Sequence, residues 1–98
     1  MATLQILSGP LAGREHQFST PLVVGRAEAD LDIMDPEISR QHLKLTPLAA
    51  GVEIVDLNSS NGTWIAGRRL TAPAILTQAT TLRAGQTTFE LVPGTPSS

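Results

Sequence analysis

The chain has 98 residues, 41% of them hydrophobic, and a formal net charge of −2 from 9 acids and 7 basic residues. That is one domain with room for a core and none for a separate catalytic lobe. The absence of cysteine excludes disulfides and thiolate zinc sites, no Lys/Arg run supplies the basic footprint of duplex binding, and no apolar run reaches the ~18 residues of a membrane span.

The opening stretch, MATLQILSGP, has no basic segment followed by an apolar core, so a reducing cytoplasm is the expected address. Candidate strands then follow at 3–7, 14–19, 22–26, 41–46, 52–57, 63–66, 80–84 and 88–92. Thr3-Leu4-Gln5-Ile6 and His42-Leu43-Lys44-Leu45 alternate with period two, the pattern of a half-buried strand. Between the strands lie SGPLAG, ADLDIMDPE, PLAAG, NSSNG and AGRR, all turn compositions. Short strands at such spacing predict an all-β sandwich or barrel. LTQATTLRA (76–84) comes nearest to a helix, but its threonines favour strand. One domain is expected over residues 1–92, with PGTPSS (93–98) as a disordered tail or the start of a linker.

Three polar groups mark boundaries between turn and strand: Gly25-Arg26, Ser39-Arg40-Gln41-His42, and Asn58-Ser59-Ser60-Asn61-Gly62-Thr63. They offer two guanidinium forks, several hydroxyls, an amide and glycine-exposed backbone, but no carboxylate base. Such a donor-rich set suits an anion with several acceptor oxygens. In a sandwich, loops from alternate strand ends gather at one edge, where these groups could meet.

The order Gly25-Arg26, Ser39-Arg40-x-His42 and Ser60-Asn61-Gly62-Thr63 closely resembles the signature of the forkhead-associated (FHA) domain. SGPLAGREHQFS resembles the opening hairpin of bacterial members, and DLNSSNGTWIAGRRL the stretch around the last motif, so the resemblance covers residues 3–92. It implies an eleven-stranded β-sandwich of two mainly antiparallel sheets. It also implies a non-catalytic module, without cofactor or metal, that binds a phosphothreonine-bearing partner in a Ser/Thr kinase pathway. By position, Arg26 and Ser39 would contact the phosphate, with Arg40 beside them. Ser60 would reach it from the opposite loop, and Asn61 would grip the peptide main chain. Gly25 and Gly62 would supply unusual backbone angles, and His42 and Thr63 would support the loops.

The plainer readings are a solvated Arg26 or Arg40, and turn-forming roles for Ser39, Asn58, Ser59, Ser60 and the Asn61-Gly62 pair. Trp64 reads as core or as an anchor at the sandwich edge. Asp30, Asp32, Asp35 and Glu37 cluster like cation ligands, but Leu31, Ile33, Met34 and Pro36 interrupt the order an EF-hand needs. A solvated acidic loop is expected there instead. Ser39, His42 and Asp56 could be grouped as a triad, yet no G-x-S-x-G elbow is present and Ser39 and His42 are only three apart. Two other functions therefore stand behind the phosphothreonine reader: an interaction sandwich indifferent to phosphate, and a small serine hydrolase. The chain departs from the family at Ala66, usually Asn, and at Gln78-Ala79, usually Gly-Asp. Both departures bear on loop geometry. Thr20-Pro21 and Thr95-Pro96 could be phosphoacceptors or ordinary turns.

Overall fold

A computed structural model of the protein describes residues 2–94. Eleven strands form two sheets. The larger sheet contains β1 (Ala2–Ile6), β2 (Glu15–Phe18), β7 (Thr63–Ile65), β8 (Arg68–Arg69), β10 (Thr80–Ala84) and β11 (Thr87–Val92). Its order is β2-β1-β11-β10-β7-β8. The smaller contains β3 (Leu22–Gly25), β4 (Leu31–Asp32), β5 (Leu43–Leu48), β6 (Gly51–Asp56) and β9 (Ala74–Leu76), in the order β4-β3-β5-β6-β9. Every pairing is antiparallel except β3 with β4.

Alternation decides which faces meet. Ala2, Leu4 and Ile6 of β1 and Phe89 and Leu91 of β11 point inward from the larger sheet. Val24, Leu43, Leu45, Val52 and Ile54 answer them from the smaller one. Each such side chain contributes about 1.5–3 kcal/mol on full burial. Loop residues Ile33 and Ile38 are also fully buried. They fix the chain between β4 and β5 against the core rather than leaving it to solvent.

Three strands, β4, β8 and β9, carry no signal in the pattern, because two or three residues cannot display a period. The 76–84 stretch divides into the end of β9, a loop and β10, in keeping with its threonines. Strand β5 runs on through Pro47 and Leu48, which the sequence places in a turn. Leu57 N–H bonds His42 O, so pairs two apart along this ladder exchange hydrogen bonds and Pro47↔Val52 falls between them. The missing proline N–H therefore faces the β3 side, where pairing has already ended at Leu22↔Leu45.

Pro93, expected in a loose tail, is buried. The expectation for residues 95–98, Thr95 among them, lies outside the described residues. Among the described residues no helix is long and apolar enough to cross a membrane.

Candidate functional site

The ladder between β3 and the chain leading into β5 continues past the strand ends. His42 N–H bonds Val24 O at 2.9 Å, Arg26 N–H bonds Ser39 O at 3.0 Å, and Ala27 N–H bonds Arg40 O at 3.2 Å. Arg26 is thereby fixed beside Ser39 through backbone, while its side chain stands exposed. Gly25 makes this possible, though not through an unusual backbone angle. The Arg40 carbonyl oxygen lies so close that a Cβ on Gly25 would sit 2.0 Å from it. Any side chain there would push the Ser39 segment away.

His42 is fully buried and bonds through both ring nitrogens. Ser39 N–H donates to Nδ1 at 3.0 Å, and the ring pairs through Nε2 with Gly62 O at 2.8 Å. A carbonyl can only accept, so Nε2 carries the proton and Nδ1 is the bare nitrogen. The neutral ring thus ties the first loop to the second. Neither nitrogen is free to serve a serine hydroxyl as a base, which removes the hydrolase triad.

The two loops also meet directly. Ser60 N–H donates to Ser39 Oγ at 3.0 Å, and the Ser39 hydroxyl proton remains to be given elsewhere. Asn61 Nδ2 donates to Glu37 O at 2.7 Å, so one N–H of this amide serves the scaffold. Gly62 holds a positive φ of 83°, as its turn requires. Buried Thr63 donates to Asp56 Oδ1 at 2.7 Å. Arg40 is exposed and lies 3.9 Å from Glu28, a loose surface contact of little energetic weight. The nine residues singled out from the sequence therefore share one edge of the sandwich.

Two carboxylates that the pattern did not single out as supports hold this edge from behind. Asp35, expected in a solvated loop, is 3% exposed. It accepts from Glu37 N–H at 2.9 Å, and from Gln86 N–H and Thr87 Oγ1 at 2.8 Å each, tying the loop after β4 to the β10–β11 turn. Its exposed neighbours Asp30 and Asp32 accept from the backbone N–H groups of Val23 and Ala29. Asp56 accepts from Ser59 N–H at 3.1 Å, Ser59 Oγ at 2.5 Å and Thr63 Oγ1, shaping the second loop. Burial pushes both carboxyls up, but these hydrogen bonds outweigh it and hold both below the ordinary carboxylate value. An Asp that bonds backbone two or three residues on is a recognised turn device, and Asp35-Pro36-Glu37 and Asp56-x-x-Ser59 both fit it.

Trp64 is half-exposed on the outer face of the larger sheet and is not part of the core. Its Nε1–H points to Asn61 O at 3.3 Å.

The FHA domain family model matches residues 22–85. Over 92 residues the chain is 30% identical to the FHA domain-containing protein FhaB of Mycolicibacterium smegmatis, and equally to that of Mycobacterium tuberculosis. These alignments cover 92% of this chain and 59% of each relative, so the chain spans little more than half of their length. A structure from a structural and functional analysis of phosphothreonine-dependent FHA domain interactions superposes with a TM-score of 0.85 at 26% identity, covering 98% of both chains. The FHA domain of CT664 from Chlamydia trachomatis gives 0.85 at 31% identity over 93% of this chain and 95% of that one. The FhaA FHA domain, solved in complex with the intracellular domain of Rv3910, gives 0.82 at 27% over 93% and 99%.

Proposed function

This chain belongs to the FHA domain family, and on that premise we propose that it is a non-catalytic reader of phosphothreonine in a partner protein, acting in a cytoplasmic Ser/Thr kinase pathway. The observation that carries the reading is the Ser39–Ser60 junction. Two donor-bearing loops are locked together there by a buried, neutral His42. A phosphomonoester brings nearly two negative charges and three acceptor oxygens, with a second pKa near ~6. Arg26 supplies a planar fork, Ser39 and Ser60 supply hydroxyls, and Arg40 supplies a second cation. Asn61, one of whose amide N–H groups is held by Glu37 O, holds the peptide main chain beside the phosphate in this reading.

Preorganisation is what the scaffold contributes. Loops that are already bonded lose little freedom on binding, so more of the charge-assisted bonding appears as affinity. A Glu in place of phosphothreonine offers one charge and a planar carboxylate, which leaves donors unpaired. The threonine methyl adds roughly 1 kcal/mol by transfer alone if it enters an apolar niche.

The test is a calorimetric titration with four peptides of one sequence, carrying Thr, Glu, phosphoserine or phosphothreonine. Phosphothreonine should bind best, phosphoserine more weakly, and Glu and Thr barely. Equal binding of the Thr and phosphothreonine peptides would leave only a phosphate-indifferent interaction domain.

A further inference from the structure

Strand β7 places Trp64 opposite Arg69 of β8 on one side and opposite Arg83 of β10 on the other. Directly opposed residues of antiparallel strands share a face, with Cβ atoms about 4.5–5.5 Å apart, so the three form a row roughly 10 Å long. Both arginines are held. The Arg83 guanidinium lies over the Trp64 ring, 5.2 Å from its centroid. Arg69 packs on the open face of Gly62, where a Cβ would meet its Nε at 2.7 Å. A guanidinium stacked on an aromatic ring keeps its N–H groups at its rim, free for a carboxylate. Among the described residues neither arginine makes an ion pair; the one pair is Arg40 with Glu28.

We propose that the Arg69–Trp64–Arg83 row is a second recognition surface that takes an acidic stretch of the phosphorylated partner lying outside the phosphate-bearing motif. The proposal rests on the phosphothreonine reading above. Charge complementarity and continuity select this occupant. An open groove of about 480 Å³ runs from Glu37 and Asn61, at the phosphate-reading edge, to Trp64 and Arg83. Its charge is graded, acidic at Glu37 and basic at Arg83. Glu90, opposite Thr81 and on the same face, bounds the cationic strip. Two arginines on a domain of net charge −2 make too small a footprint for a nucleic acid, whose binding draws on many phosphate contacts. They match two carboxylates on an extended segment.

The experiment uses a short phosphothreonine peptide, its unphosphorylated twin, and versions of the phosphopeptide extended at either end by neutral or acidic residues. Trp64 is the only tryptophan, so its fluorescence reports the row directly. An acidic extension at one end should tighten binding at least about fivefold at low salt and lose most of that gain at 0.5 M salt, as screened ion pairs do. It should also shift Trp64 emission beyond any change the short peptide causes through Asn61, whose carbonyl takes the Trp64 N–H. Arg83→Gln with Arg69→Gln should abolish the gain and keep the short-peptide affinity. A gain that survives those substitutions, or no gain from either extension, overturns the proposal while the short pair still reports phosphate reading. A Trp64 shift with anionic phospholipid vesicles or RNA, but not with the acidic peptide, also overturns it.

Discussion

His42 donates its Nε2–H to the carbonyl of Gly62 at 2.8 Å, across 20 residues of sequence, joining the loop before β5 of the smaller sheet to the loop before β7 of the larger. Its Nδ1 takes the N–H of Ser39. One imidazole therefore sets the spacing between the two loops that would face the phosphate. Replacing it leaves a cavity and strands the half-buried Ser39 N–H and the buried Gly62 carbonyl. His42→Ala should cost about 2–5 kcal/mol in urea unfolding and should weaken phosphopeptide binding as well. Loss of binding at unchanged stability would instead make His42 a ligand contact.

Arg26 is tied down by its backbone and exposed in its side chain. Arg26→Lys keeps the charge but loses the fork; with charge-assisted bonds worth ~1.5–3 kcal/mol each, affinity should fall at least about tenfold. Arg26→Ala should fall further, and both variants should melt with the wild type. Unchanged affinity in calorimetry for both would take Arg26 out of the site.

Ser39 differs from Arg26 because its hydroxyl already accepts from Ser60 N–H. Ser39→Ala should therefore lower affinity and also cost about 0.5–1.5 kcal/mol of stability, the net value of one hydrogen bond. Differential scanning calorimetry beside peptide titration separates the two effects. A melting temperature unchanged from wild type would show that the Ser39–Ser60 bond is not made in solution.

Asp35 and Asp56 are held below the ordinary carboxylate value of 3.8 in the folded protein. The unfolded chain therefore takes up protons first as pH falls. Their contribution is fully present above the unfolded value and is lost as pH drops through the lower, folded values. Urea stability should be flat with respect to these groups near neutrality and fall below about pH 4. Asp35→Asn and Asp56→Asn should each start lower at pH 7 and show a shallower acid loss. An acid profile as steep in the double variant as in the wild type would assign the loss to other groups.

Ala66 occupies φ 48° and Gly67 φ 84°, the paired positive angles of a two-residue hairpin turn between β7 and β8. A left-handed conformation costs an ordinary L-residue roughly 1–2 kcal/mol, and Asn tolerates it better. Ala66→Asn should raise stability by about 0.5–1 kcal/mol with phosphopeptide affinity unchanged. A lower melting temperature would contradict the strain reading.

The long alternating strands and the motif residues were legible because each is a local pattern. Leu4, Leu43 and Leu91 sit where period two puts them. The supports were not legible, because Asp35 acquires its meaning from Gln86 and Thr87, some 50 residues away. In sequence it is one acid among four in a polar loop. Trp64 shows the same limit: in sequence a lone tryptophan reads equally as core or as an edge anchor, and only the pairing with Arg69 and Arg83 on either side decides against core. Gly25 was singled out for an unusual backbone angle that it does not adopt; only the folded chain brings Arg40 O against it.

Strand β11 begins at the turn bonded to Asp35, behind the Ser39–Ser60 edge, and ends where it pairs with the first strand, Thr3 opposite Val92. Its six residues rise roughly 17 Å from one end to the other. Both ends of the described chain therefore leave side by side at the pole opposite the Ser39–Ser60 junction. Any polypeptide attached at either end would be tethered away from the loops, and the edge that carries Ser39 and Ser60 would project outward. A bulky neighbour joined there can pivot without shading the ligand's approach, and domain order along a longer chain becomes a matter of reach rather than of fit.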